Sequence, residues 1–195
     1  MHLAFDIFQG IGVAAAVGIR PFLPALAAGG LAAGDVEIHF DHTDFSFLQS
    51  APFLLAMAVC AIALALVERQ LPSDRLERGS GGLILAGVSL ALGALFFAGS
   101  LCRGHYAIWP GVVGGVLCAL VGVAATRPLL ARARARLAGD AALLPVFAEG
   151  IALLLAALSI VAPPVGVIGL LLLLWLLWAG RRREGQKYAG LRILK

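Results

Sequence analysis

An all-α fold, a polytopic bundle of about six membrane-crossing helices, follows from three features of this sequence. Hydrophobic residues make up 61% of it and charged residues 13%, against about 45–50% and about 25% in soluble domains. Apolar runs of about twenty residues, the length that crosses a bilayer core, succeed one another with short connections between them. Connections rich in arginine alternate with connections that have little or none, as the positive-inside rule requires. Six crossings use nearly all 195 residues, so one membrane domain over residues 1–195 is expected, with a first three-helix half at 1–101 and a second at 102–195.

The first segment covers roughly residues 5–33 and carries the run GIGVAAAVGIRPFLPALAAGG. Pro21 and Pro24 each withhold a backbone donor, and Pro21 pushes Arg20 away from helical dihedrals, so a helix broken or kinked near its middle is expected. Asp6 stands where a secretory signal would carry a cation, so this segment is expected to be retained. Residues 34–50 hold Asp35, Glu37, Asp41 and Asp44 and no lysine or arginine, which places them outside. The second segment, about 51–67, opens with Pro52 in its first turn, where a missing donor costs nothing. Arg69, Arg75 and Arg78 put the next loop inside.

The third segment, about 82–101, is rich in small residues, including Gly87, Ser89, Gly93 and Gly99, which allow close helix approach in lipid. Tyr106 and Trp109 read as interfacial aromatics around a short outer loop. A fourth segment runs from 109 to about 130, before Arg132, Arg134 and Arg136 return the chain inside. The fifth runs from about 141 to 161, turns at Pro163 and Pro164, and the sixth ends near Gly180 before a basic tail. Both termini are therefore expected in the cytoplasm.

The halves also read as related. Arg20-Pro21 in segment one matches Arg127-Pro128 in segment four, and three crossings per half fit two inverted repeats, a transporter plan whose sites lie near the midplane at broken helices. Arginine at a bilayer centre costs at least about 2.5–3.5 kcal/mol, so Arg20 needs a partner, a cavity or an interface. It is the leading site candidate, with Pro21 and Pro24 freeing backbone groups beside it. The blander alternative is a snorkelling or ion-paired structural residue. Glu149 sits inside segment five, where a carboxylate needs a counter-charge or takes up a proton, and Arg20 is the expected partner. Arg127 reads either as a second site cation or as a topological anchor. Glu37, His39, Asp41 and His42 could hold a divalent cation, the alternative being a solvated acidic loop.

Other classes are disfavoured. The basic residues lie in short loops and the tail, where they orient the chain toward anionic headgroups, so the bilayer is the expected partner and nucleic acid is not. Cys60, Cys102 and Cys118 show no metal or disulfide spacing. No catalytic signature occurs and no cofactor is expected, so the chain reads as a non-enzyme. Gly111, Gly114, Gly115 and Gly122 form a small-residue face for either a homo-oligomer or packing within the protomer.

The blocks GIGVAAAVGIRPFLPALAAGGLA, LVERQLPSDR and GDAALLPVFAEGIALLLAAL, spread over nearly the full chain, resemble the bacterial integral membrane family known as domain of unknown function 4126. The resemblance implies a multi-helix protein of the bacterial inner membrane and brings no activity with it. A small transporter or channel for an unidentified solute or ion, with its site at the broken first helix, is the favoured expectation. The alternative is a membrane scaffold or accessory protein.

Overall fold

Seven α-helices make up the computed structural model, which describes residues 2–38, 40–41, 43–70, 79–137 and 143–189. They are α1 (His2–Ile19), α2 (Phe22–Ala33), α3 (Ala51–Gln70), α4 (Ser80–Arg103), α5 (Ile108–Leu137), α6 (Leu144–Val161) and α7 (Pro164–Ala189), with a 3₁₀ turn at Ser46–Gln49. No strand occurs among the described residues. Helices α3 to α7 each contain a stretch long and apolar enough to cross a membrane, and the chain is a multi-pass membrane protein.

The first apolar segment departs from a single broken crossing. Its two helices form an antiparallel hairpin that enters and leaves the bundle at the same end. Near the start of α1, the Arg103 side chain at the close of α4 pairs with Asp6 and donates to the Glu37 carbonyl just beyond α2. At the other end, Arg20 in the hairpin tip meets Glu68, near the close of α3. The turn falls at Pro21, which has no N–H to continue α1 and disfavours helical dihedrals at the residue before it. The last bond of α1 runs from the Arg20 N–H to the Ala16 carbonyl. Pro24 breaks nothing, because it lies in the first turn of α2, where the N–H is unpaired in any helix.

Because the hairpin returns to its own side, the helices among the described residues that are long and apolar enough to cross are the five from α3 to α7. Gly166, at the start of α7, lies against Phe8 and Gly12 of α1, whereas Gly180 further along α7 meets Arg132 of α5. The start of α1 and the Gly180 end of α7 thus lie at opposite ends of the bundle. The expected match between segments one and four also differs in construction, since α5 runs unbroken through Pro128. It continues over the arginine-rich residues 131–137, where arginine, alanine and leucine are strong helix formers.

Helix α1 is the axis of the bundle and packs on α2, α4, α5, α6 and α7. Val13, Ala14, Ala15, Ala16 and Val17 are all fully buried, so the helix has no lipid-facing side over this stretch. Small residues make that possible: Gly12 faces Ser159 and Gly166, Gly18 faces the backbone at Ala119, and Gly122 faces Ala15 and Gly18. In lipid, where apolar burial gives little drive, such close approach provides the dispersion contacts. Phe40 and Phe96, edge to face, close the core beneath α2. By contrast α3 packs mainly on α2 and the 3₁₀ turn, and Leu55, Val59, Ile62 and Leu66 project outward toward the acyl chains. Exposed Tyr106 and Trp109 mark one end of the bundle. At the other, Arg182 lies 3.6 Å over the Trp178 ring, a cation–π contact suited to the headgroup layer.

The glycine face of α5 is used within the protomer. Gly111 meets Ala98, Gly114 meets Phe97, and Gly115 meets the backbone of Gly93 and Ala94, so these residues leave no free face for an oligomer. Gly115→Ala is expected to lower thermal stability in detergent by about 1–3 kcal/mol through overpacking. Gly87→Ala, whose new methyl meets nothing, is expected to be neutral or stabilising by up to about 1 kcal/mol. Equal melting temperatures for the two would contradict this packing. In a cysteine-free background, an impermeant thiol reagent is expected to reach Leu3→Cys and Asp44→Cys from one side of the membrane and Arg136→Cys from the other. Labelling of Leu3→Cys together with Arg136→Cys would rule out the hairpin.

Candidate functional site

The tip of the α1–α2 hairpin carries a guanidinium into the interior. Arg20 is 6% exposed, held there because the chain turns at Pro21 between α3, α4, α5 and α6. Its Nη1 donates to Glu68 Oε1 at 2.5 Å. Its Nε lies 3.9 Å from Glu149 Oε1, within ion-pair range but too far for a hydrogen bond. Arg20 Nε and Nη2 and Glu149 Oε2 are buried and have no hydrogen-bond partner among the described residues. One cation is therefore shared between two carboxylates on opposite neighbours, with part of its donor set unengaged.

Beside it lies a cavity of about 60 Å³, measured as space for the centres of water-sized molecules, which includes Arg20, Pro21, Glu68, Ser89, Thr126 and Arg127 in its lining. At about 10–15 Å³ per water, it has room for roughly four. Arg127 donates through Nη2 to the Gly82 carbonyl in the first turn of α4. Thr126 donates its hydroxyl hydrogen to the Gly122 carbonyl at 2.7 Å, leaving its oxygen as an acceptor. Ser89 is 2% exposed. The cavity lies in the half of the bundle where α3 ends and α4 begins, displaced from the midplane expected of the break.

The structure thus brings together Arg20, Pro21, Glu149 and Arg127, with Arg20 bridging the cavity to Glu149. Pro24 is buried one turn further along α2 and is not part of the cavity lining. Glu68 is the partner that sequence reasoning missed. Its signal was present: it is the acidic residue ending an apolar run at the same membrane level as the first segment's break, but only if that segment turns back.

The acidic loop gives a different picture. Asp41 accepts a hydrogen bond from Gln49 Nε2 at 2.6 Å, and Gln49 Oε1 accepts from the Phe40 N–H at 2.8 Å. Glu37 takes a left-handed backbone, φ 57°, and is used through its carbonyl, which accepts from Arg103 Nη1 at 2.7 Å. His39 and His42 lie outside the described residues, as does Asp140, and among the described residues no three potential ligands gather.

A second buried ion pair, also unforeseen, locks the opposite end. Asp6 is 1% exposed and pairs with Arg103, while Gln9 Nε2 donates to the Ile160 carbonyl at 3.0 Å. Removing Arg103 leaves a buried carboxylate without its counter-charge, so Arg103→Ala is expected to cost about 3–5 kcal/mol. The double variant Asp6→Asn with Arg103→Ala is expected to recover part of that loss, read as melting temperature in detergent. Additive losses would show that the pair is not coupled.

Searches of curated proteins and of solved structures each returned no match. The family model described as Domain of unknown function (DUF4126) matches residues 7–183, a span that takes in the hairpin, its arginine and every helix packed around it. The chain belongs to the DUF4126 family.

Proposed function

We propose that this protein moves a small solute or ion across the bacterial inner membrane, with Arg20 and the adjoining cavity as its site. The observation that carries the reading is the hairpin tip. A guanidinium more than nine-tenths buried stands at a cavity with room for several waters and has donors unengaged, where the bilayer makes each such group costly. A hairpin that ends inside a bundle is the kind of interrupted element from which transport sites are made. Arg20 would hold the passing group, Glu68 and Glu149 would exchange with it for the guanidinium, and Arg127 would guard the side facing the arginine-rich end. By the positive-inside rule that end faces the cytoplasm, which places the end of α7 inside and the start of α1 outside. The reading is of a carrier or channel and not an enzyme.

The direct Arg20–Glu68 bond favours one competing reading, a scaffold in which the pair only fixes the hairpin. Proteoliposomes separate the two. Wild-type protein is expected to pass at least one small solute or ion from a broad panel. Flux is expected to fall about tenfold or more in Arg20→Ala, the equivalent of one hydrogen bond to a charged group, and to change in Glu149→Gln. No flux across the panel, or unchanged flux in both folded variants, would favour the scaffold.

A further inference from the structure

The geometry points to a binding site for a small monovalent anion in the cavity beside Arg20, Arg127 and Ser89, a chemical class that rests on the transport reading and narrows it. The charged groups in the lining are Arg20, Arg127 and Glu68, two cations and one anion. Glu68 is already engaged by Arg20 Nη1, and Arg127 has no carboxylate partner among the described residues. The donors left for an anion are the Arg127 N–H groups beyond the one bound to Gly82 and the Ser89 hydroxyl, which no described residue engages, with the Arg20 guanidinium charge beside them. Guanidinium N–H groups are the side-chain donors best matched to a planar oxyanion.

The backbone adds to this field. Two helices start at the cavity: Pro21, the N-cap of the twelve-residue α2, and Gly82, in the first turn of the 24-residue α4, both belong to the lining. Each helix start carries about half a positive charge. Size limits the occupant. A volume near 60 Å³ has room for a halide, nitrate or formate. Glu149, on the far side of Arg20, competes with the anion for the same guanidinium.

The test is thermal unfolding of the purified full chain in detergent, titrated with bromide, nitrate and formate against gluconate at constant ionic strength. Bromide and nitrate lack the general stabilising action of sulfate or phosphate, so saturable stabilisation reports a site. Expected are saturable upward shifts with the three small anions and none with gluconate. The half-saturating concentration should rise about tenfold or more in Arg127→Gln, stay within about threefold in Arg127→Lys, and fall in Glu149→Gln. Absent saturation in the wild type, or the same half-saturation in Arg127→Gln, would overturn the anion site. So would weaker binding in Glu149→Gln that keeps the wild-type melting temperature without anion. Flux in proteoliposomes separates this from the broader reading. Arg20-dependent flux of a cation or neutral solute with no anion binding would discard the anion and keep transport. Saturable anion binding with no flux of any kind would keep the site and discard transport.

Discussion

The Arg20 guanidinium is the constraint on which the rest of this bundle depends. A permanent charge inside a membrane domain has to be compensated by groups brought to it, because it cannot be deprotonated as lysine can. Glu68 comes from α3 and Glu149 from α6, so one side chain ties the hairpin to two helices that are otherwise distant in sequence. Helix α3, which has few other contacts with the bundle, is fixed at one end by this bond and at the other by the 3₁₀ turn. An ion pair of this kind is weak support for stability by itself, since desolvation offsets most of the attraction. Its value lies in specifying where α3 and α6 must stand.

A charge can be carried to that depth only if the hairpin bearing it fits. Helix α1 reaches the interior because its sides are glycine and alanine. At Gly12, Gly18, Gly93, Gly115 and Gly122 the backbones of neighbouring helices approach so closely that an added methyl would meet backbone or a packed side chain. The same residues that make the helix central also leave it without a lipid-facing side. The charged tip is thereby shielded from lipid by protein on the faces that α3 to α6 supply, the only setting in which irregular backbone at membrane depth is tolerated.

The far end of the hairpin has its own restraint. Arg103 joins Asp6 at the start of α1 to the carbonyl of Glu37 after α2, and Gln9 donates to the Ile160 carbonyl near the end of α6. Four chain segments are thus clamped where the hairpin enters, and the left-handed conformations at Asp35 and Glu37 are the means by which the loop presents that carbonyl. With both ends held by buried charge, the hairpin has a defined depth. A site at its tip has a rigid support, as precise binding requires.

The sequence by itself determined the membrane class, the long apolar helices that follow the first segment, the break at Arg20-Pro21 and the need of Arg20 and Glu149 for a partner. These follow from local composition: the length of apolar runs, the missing N–H of proline and the cost of charge in lipid all act within one turn or one segment. It did not decide whether the chain past Pro21 goes on across the membrane or turns back, because a proline specifies that a helix ends and not the direction of the next one. Tertiary structure decided that direction, and with it the partnership of Arg20 with Glu68, the pairing of Asp6 with Arg103, and the separation of the start of α1 from the Gly180 end of α7. The physical reason is that each of these joins residues 48 or more positions apart, and the close backbone packing that selects among such pairings is not written in any single segment.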